Sequence, residues 1–246
     1  MSGLSVFPDG GFAFLRGVFP YSQGVVAASG FAIERARFAE PLPLASGFQF
    51  IAAYLERLGR PKTALCACEL RSPKPFSFDG FADFNRGYVA VLEDWGLFRE
   101  GVNPVARSNV APVLDPPRAP SFHAFSYTVP REGSPTTFVV AGSGEWPEGG
   151  KFPDDIVARN DTSEAGMRAK TSIVLDTMER RMRGLGGFTW KNASAVQVYT
   201  GYPFPVEDVV RRAGPGLEWN YCRPPIEGLD FEMDVRGLST ELVLRS

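Results

Sequence analysis

The chain has 246 residues, 44% of them apolar. That is enough for a sizeable core and for two domains of about 100–150 residues each. Its 26 basic and 28 acidic side chains leave a formal net charge of −2, which argues against binding nucleic acid by neutralising phosphates. One His (His123) and three Cys (Cys66, Cys68, Cys222) are too few for a zinc site or a disulfide framework. No run approaches the roughly 18 apolar residues of a membrane span. The opening MSGLSVFPDGG lacks the basic start and apolar stretch of a secretory signal. The expected address is cytoplasmic.

In chain order, VVAASGF (25–31) reads as a strand. The segment 44–59 follows as a helix, with Phe48, Ile51, Ala52, Leu55 and Leu58 on one face and Gly59 in the left-handed terminal position. KTALCACEL (62–70) is a strand that places Cys66 and Cys68 on one side, as buried thiols. A second helix, 81–96, carries Phe81, Phe84, Tyr88, Leu92 and Trp95 on one side. Residues 130–137 are polar and turn-rich, the best linker. FVVAGSGEW (138–146) begins the second half as a strand. A helix over 163–186 follows, with Asp161 and Glu164 as its capping pair, a loose apolar stripe from Met167 to Leu185, and Gly186 at its end. Then come a strand in 191–200, a short helix in 206–214 and a strand in 224–235.

The order strand, helix ending in Leu-Gly, strand, Pro-Pro, strand occurs twice. It predicts a duplication, with one domain over 1–130 and another over 131–246. Strands alternating with helices predict an α/β (α+β) layer in which helices cover one face of a sheet.

FADFNRGYVAVL (81–92) and ARSNVAPVLDPPRAPSFHAFSYTV (106–129) resemble the closing third of the RidA/YjgF family of reactive intermediate deaminases. AGSGEW (141–146) resembles that family's Ser-Gly-Gln strand end, and PYSQGV (20–25) its Pro-Tyr-Ser-Gln-Ala-Val segment. KTSIVLDTMERRMRGLGG (170–187) resembles its Gln-Thr helix. The resemblance implies two tandem chorismate-mutase-like (YjgF-like) domains, each a mixed sheet backed by helices. It also implies a homotrimer with clefts between neighbouring domains.

Arg107 matches the arginine that holds the substrate carboxylate in that family, and a guanidinium fork suits a carboxylate as Lys does not. Asn109, two residues on, would face the same way. His123 falls where many members carry a water-activating Glu, and Glu232 falls there in the second half. Arg223 precedes the second Pro pair and stands in for an arginine absent at the counterpart position, which Pro215 occupies. Tyr21 and Glu145 complete the set of substrate-binding candidates. Each has a structural alternative: a surface Arg, a packed Tyr, a strand His, a paired Glu. Asn85 and Tyr88 read as helix packing.

The resemblance implies hydrolysis of the C=N of an imine or enamine of a small carboxylic acid, 2-aminoacrylate-like or 2-aminomuconate-like, with release of ammonia. Such a substrate is already electrophilic and needs no metal or cofactor. The alternative is a non-catalytic carboxylate-binding or regulatory module of the same fold. The expected partner is a small carboxylate-bearing substrate, with no nucleic acid and no membrane. RNA cleavage, which some family names suggest, fits poorly with the near-neutral charge.

Overall fold

Every second residue of Phe231–Gly237 is either apolar or ionisable up to Arg236, and this alternation sorts the strand's two faces. Phe231, Met233 and Val235 enter a hydrophobic cluster with the helix Glu164–Gly186. Glu232, Asp234 and Arg236 therefore face the other way, and all three are buried. The same logic, repeated in neighbouring strands, lays down a buried polar layer through the middle of the molecule.

The computed structural model describes residues 3–133, 135–214 and 216–245. In chain order the strands and α-helices are β1 (Ser5–Phe7), β2 (Phe12–Leu15), β3 (Gly24–Ala27), β4 (Phe31–Pro43), α1 (Leu44–Arg57), β5 (Leu65–Arg71), α2 (Phe78–Asp94), β6 (Ala106–Pro112) and β7 (Ser121–Pro130). Then follow β8 (Phe138–Gly144), α3 (Glu164–Gly186), β9 (Ala195–Thr200), α4 (Val206–Ala213), β10 (Leu217–Asn220), β11 (Cys222–Arg223), β12 (Phe231–Gly237) and β13 (Glu241–Leu244).

The helices form where the apolar period predicts them. Phe48, Ile51 and Leu55 bury one face of α1, and Tyr88, Val89 and Leu92 bury one face of α2. Ser77 caps α2, its hydroxyl accepting from the Gly80 amide at 3.1 Å. On α3 the cap is Ser163 rather than Asp161: the Ser163 hydroxyl accepts from the Gly166 amide at 3.3 Å, while Asp161 accepts from the Ser163 amide at 2.9 Å. The left-handed terminal residue is Gly187, at φ 78°, one position beyond the expected Gly186. No helix among the described residues is long and apolar enough to cross a membrane.

The strands form two sheets. One has seven strands in the order β1-β2-β3-β8-β12-β9-β10, and the other has six in the order β11-β6-β5-β7-β4-β13. Helices α1 and α2 share a hydrophobic core with the six-stranded sheet, and α3 and α4 share another with the seven-stranded sheet. Two tandem chorismate-mutase-like domains, each with its own sheet, are therefore not what the chain forms. β1, β2 and β3 pair into the sheet otherwise built from strands after residue 137, through β3 on β8. In return β13 pairs with β4 and β11 with β6.

The faces that the helices leave uncovered meet through the polar layer. Arg35 donates to both oxygens of Glu69 at 2.6 and 2.7 Å, and Arg35 and Arg236 share Glu241. Ser108 on β6 donates to Asp234 on β12 at 2.6 Å, a direct bond between the sheets.

Candidate active site

Where the polar layer reaches α2 and α3 it opens into a cavity of about 320 Å³. β6 contributes Arg107 and Asn109, β12 contributes Glu232, α2 contributes Asn85 and α3 contributes Arg181. Tyr21 enters from the segment before β3, and Trp146 and Glu148 from the segment after β8. Phe81, Ile226 and Leu229 belong to a small hydrophobic cluster that forms an apolar wall.

Arg107 is 2% exposed. Its guanidinium lies 4.7 Å from the ring centre of Tyr88, 5.1 Å from Tyr21, 5.5 Å from Phe81 and 5.6 Å from Phe84. These π faces offset part of the cost of burying a cation. Burial pulls the group below its ordinary pKa, but a guanidinium remains charged at neutral pH. Nη2 donates to Asn85 Oδ1 at 2.7 Å, which fixes the plane of the fork.

Arg181 is buried too. Nη1 donates to the carbonyls of Ala141 at 2.9 Å and Gly142 at 3.3 Å, and Nη2 donates to Glu148 at 2.5 Å. Asn109 Oδ1 accepts from Ser72 at 2.9 Å, which turns its amide nitrogen away from that partner. Among the described residues, four buried donors on cavity-lining residues then have no protein partner: Arg107 Nη1, Arg181 Nε, Asn109 Nδ2 and Trp146 Nε1. An unmet buried donor costs about 1–3 kcal/mol. Arg107 and Arg181 themselves line the cavity, and cationic side chains suit a ligand rich in anionic oxygen.

Glu232 is the opposite case. Burial, with Asp234 and Glu145 nearby, pushes its carboxyl well above the ordinary range despite the opposing pull of Arg107 and Arg181. Its protonated form is therefore favoured far more than that of an ordinary carboxyl. Room for it depends on Gly142, where an added Cβ would collide with Glu232 Oε1. The cavity thus combines guanidinium side chains, a carboxyl that burial pushes up and an apolar wall. Among the described residues no group of three or more His, Cys, Asp or Glu side chains is placed to hold a metal ion.

Of the residues predicted from sequence, Arg107, Asn109, Tyr21 and Glu232 meet in this cavity, and three do not line it. His123 sits on β7 near Arg71, Arg35 and Arg37, where burial and those cations push its pKa down to about 3. Arg223 is exposed on β11, the edge strand beside β6. Glu145 is buried behind the wall, 3.2 Å from Lys170, and accepts from the amides of Asp230 at 2.6 Å and Phe231 at 3.2 Å. It clamps the start of β12 and does not face a ligand. Pro215, the counterpart position for a second arginine, lies outside the described residues. His123 lies on β7, outside the cavity, whereas β12 brings Glu232 to Arg107 from the other sheet.

Arg181 and Asn85 escaped the sequence reading as site residues. Arg181 shares a helical face with Met178, Met182 and Leu185, and Asn85 shares one with Phe81, Tyr88 and Leu92. A polar residue on an otherwise apolar stripe was the available signal.

Residues 4–242 match the model of the family described as 2-aminomuconate deaminase CnbZ. A 2-amino-5-chloromuconate deaminase of Comamonas testosteroni is 46% identical over 258 residues, covering 99% of this chain and 100% of the relative. Among solved structures, a chorismatase superposes with a TM-score of 0.50 at 11% identity, covering 92% of this chain and 77% of its own. That is a likeness of fold alone. These matches replace the RidA/YjgF resemblance and, with the interleaved sheets, the tandem YjgF duplication drawn from it. The trimer rested on that family alone. The chain is a deaminase, and it belongs to the 2-aminomuconate deaminase CnbZ family.

Proposed function

We propose that the chain hydrolyses a 2-aminomuconate-type enamine: an unsaturated six-carbon chain with a carboxylate at each end and an amino group beside one of them. The observation that carries this reading is that Arg107 and Arg181, each with an unmet donor, line one cavity with Glu232, whose carboxyl burial pushes up. Arg107 suits one carboxylate; Arg181, although paired with Glu148, keeps its Nε for the other, and the wall of Phe81, Ile226 and Leu229 suits the hydrocarbon between them. The name of the 46% identical relative points to the same substrate class, with chlorine on the chain.

In this reading Arg107, held flat by Asn85, takes the carboxylate beside the amino-bearing carbon, and Arg181 with Trp146 takes the distal one. Glu232 gives its proton to the enamine carbon, and the C=C electron pair forms that C–H bond. The nitrogen lone pair completes C=N, leaving an iminium. The Glu232 carboxylate then removes a proton from water as the water oxygen bonds to the iminium carbon. The proton passes to nitrogen and the C–N bond breaks. The hydroxyl proton returns to Glu232 as the C=O forms, and the ketone and ammonia leave. Glu232 brings a carboxyl into the same cavity as Arg107, which favours turnover over the non-catalytic carboxylate-binding or regulatory alternative.

The test is ammonia release from freshly generated 2-aminomuconate and its 5-chloro analogue. Arg107→Met and Arg181→Met are expected to lower kcat/KM by about 100-fold each, since each removes a charge-assisted carboxylate contact. Wild-type turnover in both variants would contradict the assignment.

A further inference from the structure

Glu232 is not the only carboxyl on its face of β12. Asp234, two residues on, faces the same way. Its Oδ2 accepts from Ser108 Oγ at 2.6 Å and from Tyr199 OH at 2.9 Å. The Cβ that would collide with Glu232 Oε1 at Gly142 would also come within 3.1 Å of Ser108 Oγ. The Ser108 hydroxyl and the Glu232 carboxyl therefore border the same gap, kept open by a glycine. A hydroxyl donates once and accepts through two lone pairs. Ser108 spends its proton on Asp234, which leaves its oxygen free to accept from a protonated Glu232.

We propose that Asp234 is a positioning residue for the deamination: through Ser108 it shares one proton with Glu232, staying ionised itself while Glu232 holds the proton. The proposal rests on the reading of Glu232 as the proton donor. The asymmetry follows from the bonds, since the Ser108 and Tyr199 hydroxyls both donate to Asp234 and so favour its ionised form. The charged groups around Glu232 are Arg107 from β6, Arg181 from α3 and Glu145 after β8, with the Tyr21 phenol and Glu148 beyond them. Those around Asp234 are Glu69 and Arg71 from β5 and Arg236 from its own strand, with Tyr199 from β9. Asp234 itself is pushed up only to about 6, whereas Glu232 lies well above its ordinary range. Two adjacent carboxyls in such a site resist double ionisation. Once Glu232 has given its proton to substrate, the neighbouring Asp234 charge makes it a stronger base toward water.

The test is the pH dependence of kcat/KM in the full-length protein, with folding and binding checked by the rise in Tm on adding adipate, an unreactive six-carbon dicarboxylate. Asp234→Asn is expected to move the alkaline limb down by about one pH unit, because removing the neighbouring charge lets Glu232 ionise earlier. Ser108→Ala and Tyr199→Phe each take one donor from the Asp234 carboxylate, favour its neutral form, and should move the limb the same way by less. The adipate response is expected to stay as in wild type. An alkaline limb that stays in place in Asp234→Asn overturns the proposal. If that variant does not fold, an unmoved limb in both Ser108→Ala and Tyr199→Phe overturns it. Glu232→Gln is the control: if it keeps wild-type turnover, the underlying reading of Glu232 fails, and this proposal with it.

Discussion

A carboxyl kept neutral by its surroundings costs stability, and Glu232 makes that cost measurable. Below the ordinary carboxyl pKa, both the folded and the unfolded chain hold the proton. Above it the unfolded chain ionises first, so folding stability falls as pH rises, until the folded-state carboxyl itself ionises. Glu232→Gln removes this loss. Its Tm is expected to exceed that of wild type at about pH 8 by more than at about pH 5, a gain of stability at a site where activity is lost. Lys170 behaves oppositely. Its ammonium is fully buried between Glu145 and Asp230, at 3.2 and 2.6 Å. Lys170→Met strands two carboxylates and is expected to cost about 3–5 kcal/mol in denaturant unfolding, partly recovered by adding Glu145→Gln. At this scale the sequence was legible where a residue broke its context visibly, as Arg107 does in a strand and Glu232 does in an alternating one. Arg181 stayed hidden because one polar side chain within a helical stripe looks like a solvated neighbour until the opposing sheet is known.

At the scale of elements, spacing along β8 matters as much as side-chain identity. Gly142 lies where β8 passes Glu232 and Ser108, and its carbonyl accepts from Arg181. Gly142→Ala displaces the acid while leaving the strand's pairing intact, and it is expected to lower kcat about tenfold or more with little change in Tm. The helices α1, α2 and α3 were readable from their apolar period, and α2 has the added signal of a Ser77 cap. Ser77→Ala is expected to cost about 1 kcal/mol in denaturant unfolding without changing kcat, since the cap lies at the exposed start of that helix. The short strands β1, β10, β11 and β13 were not readable. They run from two to four residues at sheet edges, too short for alternation to stand out.

At the scale of the whole molecule, the candidate cavity exists because two sheets face each other through a buried polar layer. That arrangement is set by which strands pair across more than 100 residues, and local pattern does not specify it. The repeated order of elements suggested two separate copies, but β1 to β3 and β13 each join the sheet of the other half. The same layer predicts acid sensitivity. His123, pushed down to about 3, stays neutral in the folded state while the unfolded chain protonates it near its ordinary 6.5. Stability therefore falls as pH drops below about 6.5. His123→Gln is expected to reduce the loss of Tm between about pH 6.5 and pH 4.

In the proposed reaction Glu232, from one sheet, protonates a substrate held by Arg107, from the other. Single-turnover ammonia release by Glu232→Gln, with 2-aminomuconate saturating, tests it most directly. The variant is expected still to gain Tm on adding adipate, while its rate falls about 100-fold or more. An unchanged single-turnover rate in a variant that binds dicarboxylate normally would contradict it.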